Sequence, residues 1–263
     1  MGTFADRRVV LESSHNFRDL GGYATADGRR TRWGRLYRAD SLHLLSAADL
    51  DVLRGLGLRT VIDLRSGPEL EHHGRDRLDE SFGYWNVPIV DRVIIDREPR
   101  PTSSKRDVGE SYLRMAAAGG SAIARCLQLL GEPDAMPAVF HCAVGKDRTG
   151  VVAALVLSSL GVDDAEVVDD YAMSAASWEG RERYLEQHDT TFLALLRAIP
   201  PEHLESPPST MRSFLEGLRR EHGSVREFLR AIGVDDATLE RLEDGLLEDV
   251  PVQGAPLQRG AAP

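Results

Sequence analysis

Apolar and polar positions change period along this chain, and the changes mark its elements. Residues 58–64 (LRTVIDL) form a short run rich in branched side chains, preceded by a helical pattern that opens on Ser46-Ala47-Ala48-Asp49, a capping-box start. The stretch predicts helix, turn and buried strand. Residues 83–89 (GYWNVPI) predict a second strand. Ile123, Cys126, Leu127 and Leu130 then share one face of a helix that closes at Gly131, and residues 138–141 (AVFH) predict a third strand. Such alternation predicts an α/β fold with a mainly parallel sheet covered by helices, where ligands bind beyond the carboxyl ends of the strands. Position 142 is such an end.

Beyond it the pattern is helical throughout: residues 149–160 stopping at Gly161, a restart at Asp163 with Glu166 three residues on, and apolar periodicity to about residue 247. Pro200-Pro201 and Pro207-Pro208 interrupt this part, so residues 185–215 read either as a lid or as a plain helix connection. Residues 250–263 carry Gly, Ala, Gln and Pro with little apolar content and predict a disordered tail after a single domain spanning 1–249.

Composition narrows the partners. With 32 basic and 42 acidic residues the formal charge is -10 and the pI about 5.3, a field that repels nucleic acid and anionic membranes. Any phosphate site must be built locally. The apolar run 151–157 is too short to span a bilayer, no signal segment is evident, and Asp6 stands where a myristoylation signal wants Ser or Thr, so a cytoplasmic location is expected, with non-classical export left open. Cys126 and Cys142 are too few for a disulfide framework. Cys126, on a helix stripe, reads as a small core side chain. The eight histidines are scattered, and adjacent His72-His73 read as surface residues, so neither metal nor cofactor is expected.

Cys142 differs. It opens the run Cys142-Ala143-Val144-Gly145-Lys146-Asp147-Arg148-Thr149-Gly150, with His141 before it. A free thiol has a pKa of about 8.5, so a nucleophilic cysteine needs surroundings that favour the thiolate. A loop between a strand end and a helix start supplies them, because its backbone N–H groups converge and the helix dipole adds to them. The same cradle, from Ala143 to Asp147, fits a phosphate dianion. Arg148 is placed to grip two phosphate oxygens, and Thr149 to hydrogen-bond the sulfur. His141 either orients the loop through its ring nitrogens or is an ordinary buried strand histidine. The chemistry is transfer of a phosphoryl group to sulfur, which needs no metal.

The loop resembles the HCxxGKDRTG signature of the atypical bacterial tyrosine phosphatases. Asn16-Phe17-Arg18-Asp19-Leu20-Gly21-Gly22, Tyr37-Arg38-Ala39-Asp40-Ser41-Leu42, Val61-Ile62-Asp63-Leu64-Arg65-Ser66, Asp170-Tyr171 and His222-Gly223-Ser224-Val225 resemble further segments of that family. The resemblance implies a cysteine-phosphatase-like fold and hydrolysis of phosphotyrosine, with phosphoserine, phosphothreonine and phosphoinositides as further substrates. Departures fall at residues 92–120 and 175–215, which would set substrate choice.

A carboxylic acid must protonate the leaving group. Asp91, in a loop after the second strand, comes first and aligns with the family's proposed acid, Asp147 second, and Asp63, beside Arg65, third. Lys146 is one of two lysines, with Lys105, among 30 arginines. A flexible ammonium there suits a second phosphate, as in lipid phosphatases, or is simply solvated. Other readings of the loop fit less well. A sulfurtransferase or arsenate reductase also sets a reactive cysteine in an anion-binding loop, but the reductase chemistry recruits further cysteines and only Cys126 remains. A nucleotide loop would need Ser or Thr where Asp147 stands. A non-catalytic phosphate-binding module, or a phosphatase confined to phosphoinositides, would keep the same loop.

Overall fold

In the computed structural model, residues 3–89, 105–199 and 204–250 are described. A short helix α1 (Phe4–Arg7) and strands β1 (Arg18–Asp19), β2 (Arg29–Thr31) and β3 (Leu36–Ala39) come first. Then follow α2 (Ala47–Gly55), β4 (Thr60–Asp63), α3 (Gly67–His73) and β5 (Gly83–Asn86). Helices α4 (Lys105–Ala118) and α5 (Gly120–Leu130) lead to β6 (Ala138–His141) and α6 (Asp147–Ser159). The rest is α7 (Asp164–Ala172), a 3-10 segment (Met173–Ser177), α8 (Trp178–His188), α9 (Thr190–Arg197), α10 (Pro208–His222), α11 (Val225–Ala231), α12 (Asp236–Leu246) and β7 (Leu247–Asp249).

The central sheet has the order β1-β3-β6-β4-β5, parallel except for β1. Its register sets Ala39 and Asp63 level with His141, so three strands end together just before Cys142. Side chains alternate across the pleat: Leu36, Ile62 and Phe140 enter the core shared with α5, α6 and α10, while Tyr37, Val61 and Val139 face the other core beside Leu53 of α2. Burial on both faces is why β4 and β6 read as short, mostly apolar runs. No helix among the described residues is long and apolar enough to cross a membrane.

Local chemistry explains the ends. Ser46 caps α2, accepting from the Asp49 N–H at 3.1 Å while Asp49 accepts from the Ser46 N–H at 3.2 Å. Asp163 caps α7 by accepting from the Ala165 N–H at 2.8 Å. Cys126 is fully buried on α5, where burial pushes its thiol up to about 12. Two expectations need correction. Helix α6 starts at Asp147 rather than Thr149, because the loop turns into helical backbone already at Lys146. The part beyond it is not entirely helical, since β7 pairs antiparallel with β2, Leu247 opposite Thr31. Residues 251–263, expected to be a disordered tail, and the stretch 90–104, which includes Asp91, lie outside the described residues.

Candidate active site

Cys142 follows the carboxyl end of β6 and is 2% exposed. The loop after it is fixed by its carbonyl groups. Ala143 O accepts from Arg181 Nη1 at 3.1 Å and from the Ser41 N–H at 3.3 Å. Val144 O accepts from Arg181 Nη2 at 3.0 Å and Asn16 Nδ2 at 3.2 Å, and Gly145 O accepts from Arg38 Nη2 at 2.8 Å and Asn16 Nδ2 at 3.0 Å. A trans peptide points its N–H opposite to its carbonyl. Tying these three carbonyls outward therefore turns the N–H groups of Val144, Gly145 and Lys146 inward, toward one spot at the start of α6.

Gly145 is required there: its φ is +71°, and a Cβ would stand 2.5 Å from Ala39 O and 2.8 Å from Asp40 N. The donors that hold the loop are themselves anchored. Asp170 on α7 binds Arg18 Nε at 3.0 Å and Arg38 Nη1 at 2.5 Å, and although burial opposes its ionisation, the two guanidinium groups hold its carboxyl well below the usual range. Asp40 pairs with Arg181 and accepts from the backbone N–H groups of His15 and Asn16. The segments around Asn16, Arg38 and Asp170 thus form the scaffold behind the cradle.

Arg148, 2% exposed, is the second residue of α6, at the rim of the cradle. Its two terminal nitrogens donate to the two oxygens of Glu69 on α3, each at 2.6 Å. Burial works against the Glu69 charge, but Arg148 outweighs it and draws the carboxyl down to about 2. His141 is fully buried; its Nδ1 lies 3.2 Å from Cys142 O and its Nε2 2.7 Å from Asp76 Oδ2. Burial alone would lower its pKa, yet the carboxylates of Asp76 and Asp63 raise it to about 9, so an imidazolium backs the strand end.

The remaining predicted residues are placed as follows. Lys146 is buried rather than solvated, with Nζ 3.1 Å from Glu205 O and 3.3 Å from Asp147 Oδ1. Asp147 also accepts from the Tyr112 hydroxyl at 2.5 Å, and that hydroxyl lies 2.9 Å from Tyr171 Oη. The hydroxyl of Thr149 is buried without a hydrogen-bond partner among the described residues, so the expected bond to sulfur is not formed. Asp63 is enclosed by Arg65 and by the Tyr84 hydroxyl at 2.9 Å. Ala143 and Val144 belong to an apolar cluster with Leu185 of α8 and Phe192, Leu193 and Leu196 of α9.

Glu69, Asp76 and Arg181 were missed by sequence reasoning. Ser66 with Glu69 three residues on is a capping-box pattern that signals a helix start and could have drawn attention to that carboxylate. Asp76 and Arg181, in polar stretches, carry no such signal. Asp63, Asp76 and His141 bring donor atoms within 4.8 Å of one another, but Arg65 already occupies the two carboxylates as an ion-pair network. His73, read as a surface residue, is half-buried.

Comparison with known proteins places this geometry. The model of the tyrosine phosphatase family matches residues 9–248. A Cupriavidus necator relative named among the tyrosine-protein phosphatases is 31% identical, over 88% of this chain and 86% of its own. The tyrosine-protein phosphatase of Nostoc commune is 28% identical, over 78% and 72%. The triple specificity protein phosphatase PtpB of Mycobacterium tuberculosis is 30% identical, over 90% and 98%.

Proposed function

The chain belongs to the tyrosine phosphatase family, and on that premise we propose that it hydrolyses phosphotyrosine through a cysteinyl-phosphate intermediate on Cys142. The observation that carries the reading is the ring of outward-tied carbonyls at Ala143, Val144 and Gly145, which aims a set of N–H donors at the position a transferring phosphoryl group would take.

In the proposed reaction the Cys142 thiolate attacks phosphorus in line, the bond to the tyrosyl oxygen breaks, and Asp91 gives that oxygen its proton. Asp147 is the weaker candidate for the acid, since its carboxylate is engaged by Tyr112 and Lys146. Water then attacks the phosphocysteine, Asp91 takes its proton, and inorganic phosphate leaves. Arg148 shares the charge of the equatorial oxygens with the loop N–H groups. Glu69 holds its guanidinium in plane, each carboxylate oxygen taking one terminal nitrogen. The segment 185–215 is read as a lid rather than a plain connection, because Leu185 and Phe192 within it share an apolar cluster with Ala143 of the loop. Lys146, held by Glu205 O and by Asp147, would meet a second phosphate by exchanging those partners, which extends the reading to phosphoinositides beside phosphoserine and phosphothreonine.

The test is turnover of phosphotyrosine, phosphoserine and phosphoinositide substrates by wild type and Cys142→Ser in the presence of a chelator. Turnover of phosphotyrosine by wild type, abolished in the variant, is expected. Binding of phosphate without turnover would instead identify a non-catalytic module.

A further inference from the structure

The last turn of α3 carries His72 and His73. His72 is exposed, whereas the His73 side chain is 9% exposed, its ring edge-on to Phe192 of α9 at 4.4 Å between centroids. His43, four residues beyond the end of β3, is 6% exposed. Its Nδ1 lies 2.7 Å from Ser41 Oγ, while its Nε2 is buried with no hydrogen-bond partner among the described residues. A buried imidazole nitrogen without a partner is costly, and such atoms call for an explanation.

That nitrogen lies 3.7 Å from Asp189 Oδ2, and His73 Nδ1 lies 3.8 Å from the same oxygen. Asp189 stands between α8 and α9, where its other oxygen accepts from the Phe192 N–H at 2.9 Å and caps α9. Two rings and one carboxylate oxygen therefore converge within 4.8 Å of one another, from three separate parts of the chain.

We propose that His43 Nε2, His73 Nδ1 and Asp189 Oδ2 form a binding site for a divalent first-row transition ion, with zinc the best fit, that clamps the α8–α9 junction onto α3. Two imidazoles and a carboxylate, with water in a fourth position, are a donor set that zinc accepts. Bonds of about 2.0–2.2 Å in a tetrahedron put neighbouring donors about 3.3–3.6 Å apart. The two distances to Asp189 Oδ2 exceed that by only a few tenths of an ångström, within reach of side-chain torsions. Both outer partners are in place: a tautomer that donates Nδ1–H to Ser41 Oγ leaves the His43 Nε2 lone pair facing Asp189, and the Phe192 N–H fixes the carboxylate.

The location gives the ion a consequence. Helix α3 also carries Glu69, which holds Arg148, and α8 and α9 carry the apolar side chains seated on Ala143. An ion here ties the α8–α9 junction, whose apolar side chains pack with Ala143, to the helix that carries Glu69. That effect on turnover rests on the phosphatase reading, whereas the binding itself does not.

The test uses the full chain carrying Cys142→Ser, so that the loop thiolate cannot serve as a zinc ligand. Zn(II) is titrated against a chromophoric chelator, and Co(II) is added separately to read the visible absorption of a tetrahedral site. One zinc per chain and that absorption are expected. His43→Ala, His73→Ala and Asp189→Asn, each added to Cys142→Ser, should weaken zinc by more than the roughly 10- to 100-fold that losing a partner of a ligand costs. Asp189→Asn keeps an oxygen for the Phe192 N–H, so its far-UV circular dichroism and metal-free melting midpoint should stay unchanged. Absence of stoichiometric zinc binding, or equal binding with and without Asp189→Asn and His43→Ala, would overturn the proposal. Failure of the phosphatase reading would register elsewhere, as an inactive metal-free wild type.

Discussion

Glu69→Gln isolates the work of the carboxylate beneath Arg148. The pair is bidentate at 2.6 Å on both sides, with Arg148 2% and Glu69 20% exposed as side chains. A carboxyl drawn from 4.5 to about 2 corresponds, at about 1.36 kcal/mol per pH unit, to up to about 3 kcal/mol of stability at neutral pH. The sign follows from the direction. The folded-state pKa lies below the unfolded one, so the contribution is complete above about 4.5 and drains away as pH falls toward 2. Chemical denaturation should therefore show wild type more stable than Glu69→Gln at pH 7, with the gap closing through this acidic window. Turnover gives the second readout. An Arg148 released from its brace sits out of position, and a misplacement of about 1 Å costs about 10²-fold, so kcat/KM on an activated aryl phosphate should fall by that order. A stability gap unchanged between pH 7 and about pH 3, or a kcat/KM equal to wild type, would refute the reasoning.

Further outcomes follow from the same geometry. Gly145→Ala should cut kcat/KM by about 10²-fold or more with an intact circular dichroism spectrum, because its Cβ meets Ala39 O and displaces the cradle. Asp170→Asn should lower the unfolding free energy by about 3–5 kcal/mol in urea melts, since Arg18 and Arg38 are left buried without their counterion. Asp91→Asn should slow poor leaving groups by about 10²- to 10⁴-fold and activated ones far less; equal losses would remove Asp91 as the acid. Lys146→Ala should reduce phosphoinositide turnover more than phosphotyrosine turnover, and equal reductions would argue against the second-phosphate role.

The cradle was legible in the sequence because everything that makes it local is contiguous: strand, Cys142, Gly145, Arg148 and helix follow one another within a single turn of chain. Its scaffold was not. Asn16 reaches Gly145 across 129 positions and Arg18 reaches Asp170 across 152, and no periodic pattern encodes pairings of that span. The segments around Asn16, Arg38 and Asp170 stood out only by resemblance, and the structure supplies their physical reason: they hold carbonyls outward. Strands β1 and β3 went unread for a related cause. The two-residue β1 and the charged Arg38 within β3 break the apolar run that signals a buried strand, although Arg38 is itself fully buried by its pairing with Asp170. His73 looked like a surface residue because its neighbour His72 is one; a helix end turns adjacent side chains about 100° apart, and only one of the two faces Phe192.

The common register of β3, β6 and β4 gives this molecule a working end and a blank end. Cys142, Gly145, Lys146 and Arg148 follow directly where those strands finish, whereas the connection Glu132, Pro133 and Asp134 is exposed before β6 begins. The four residues of β6 separate the two ends by about 13 Å at about 3.3 Å per residue. A fluorophore, affinity handle or surface tether attached at that connection would hang from the far side of the sheet. It offers a way to immobilise the enzyme with its cradle facing the solution.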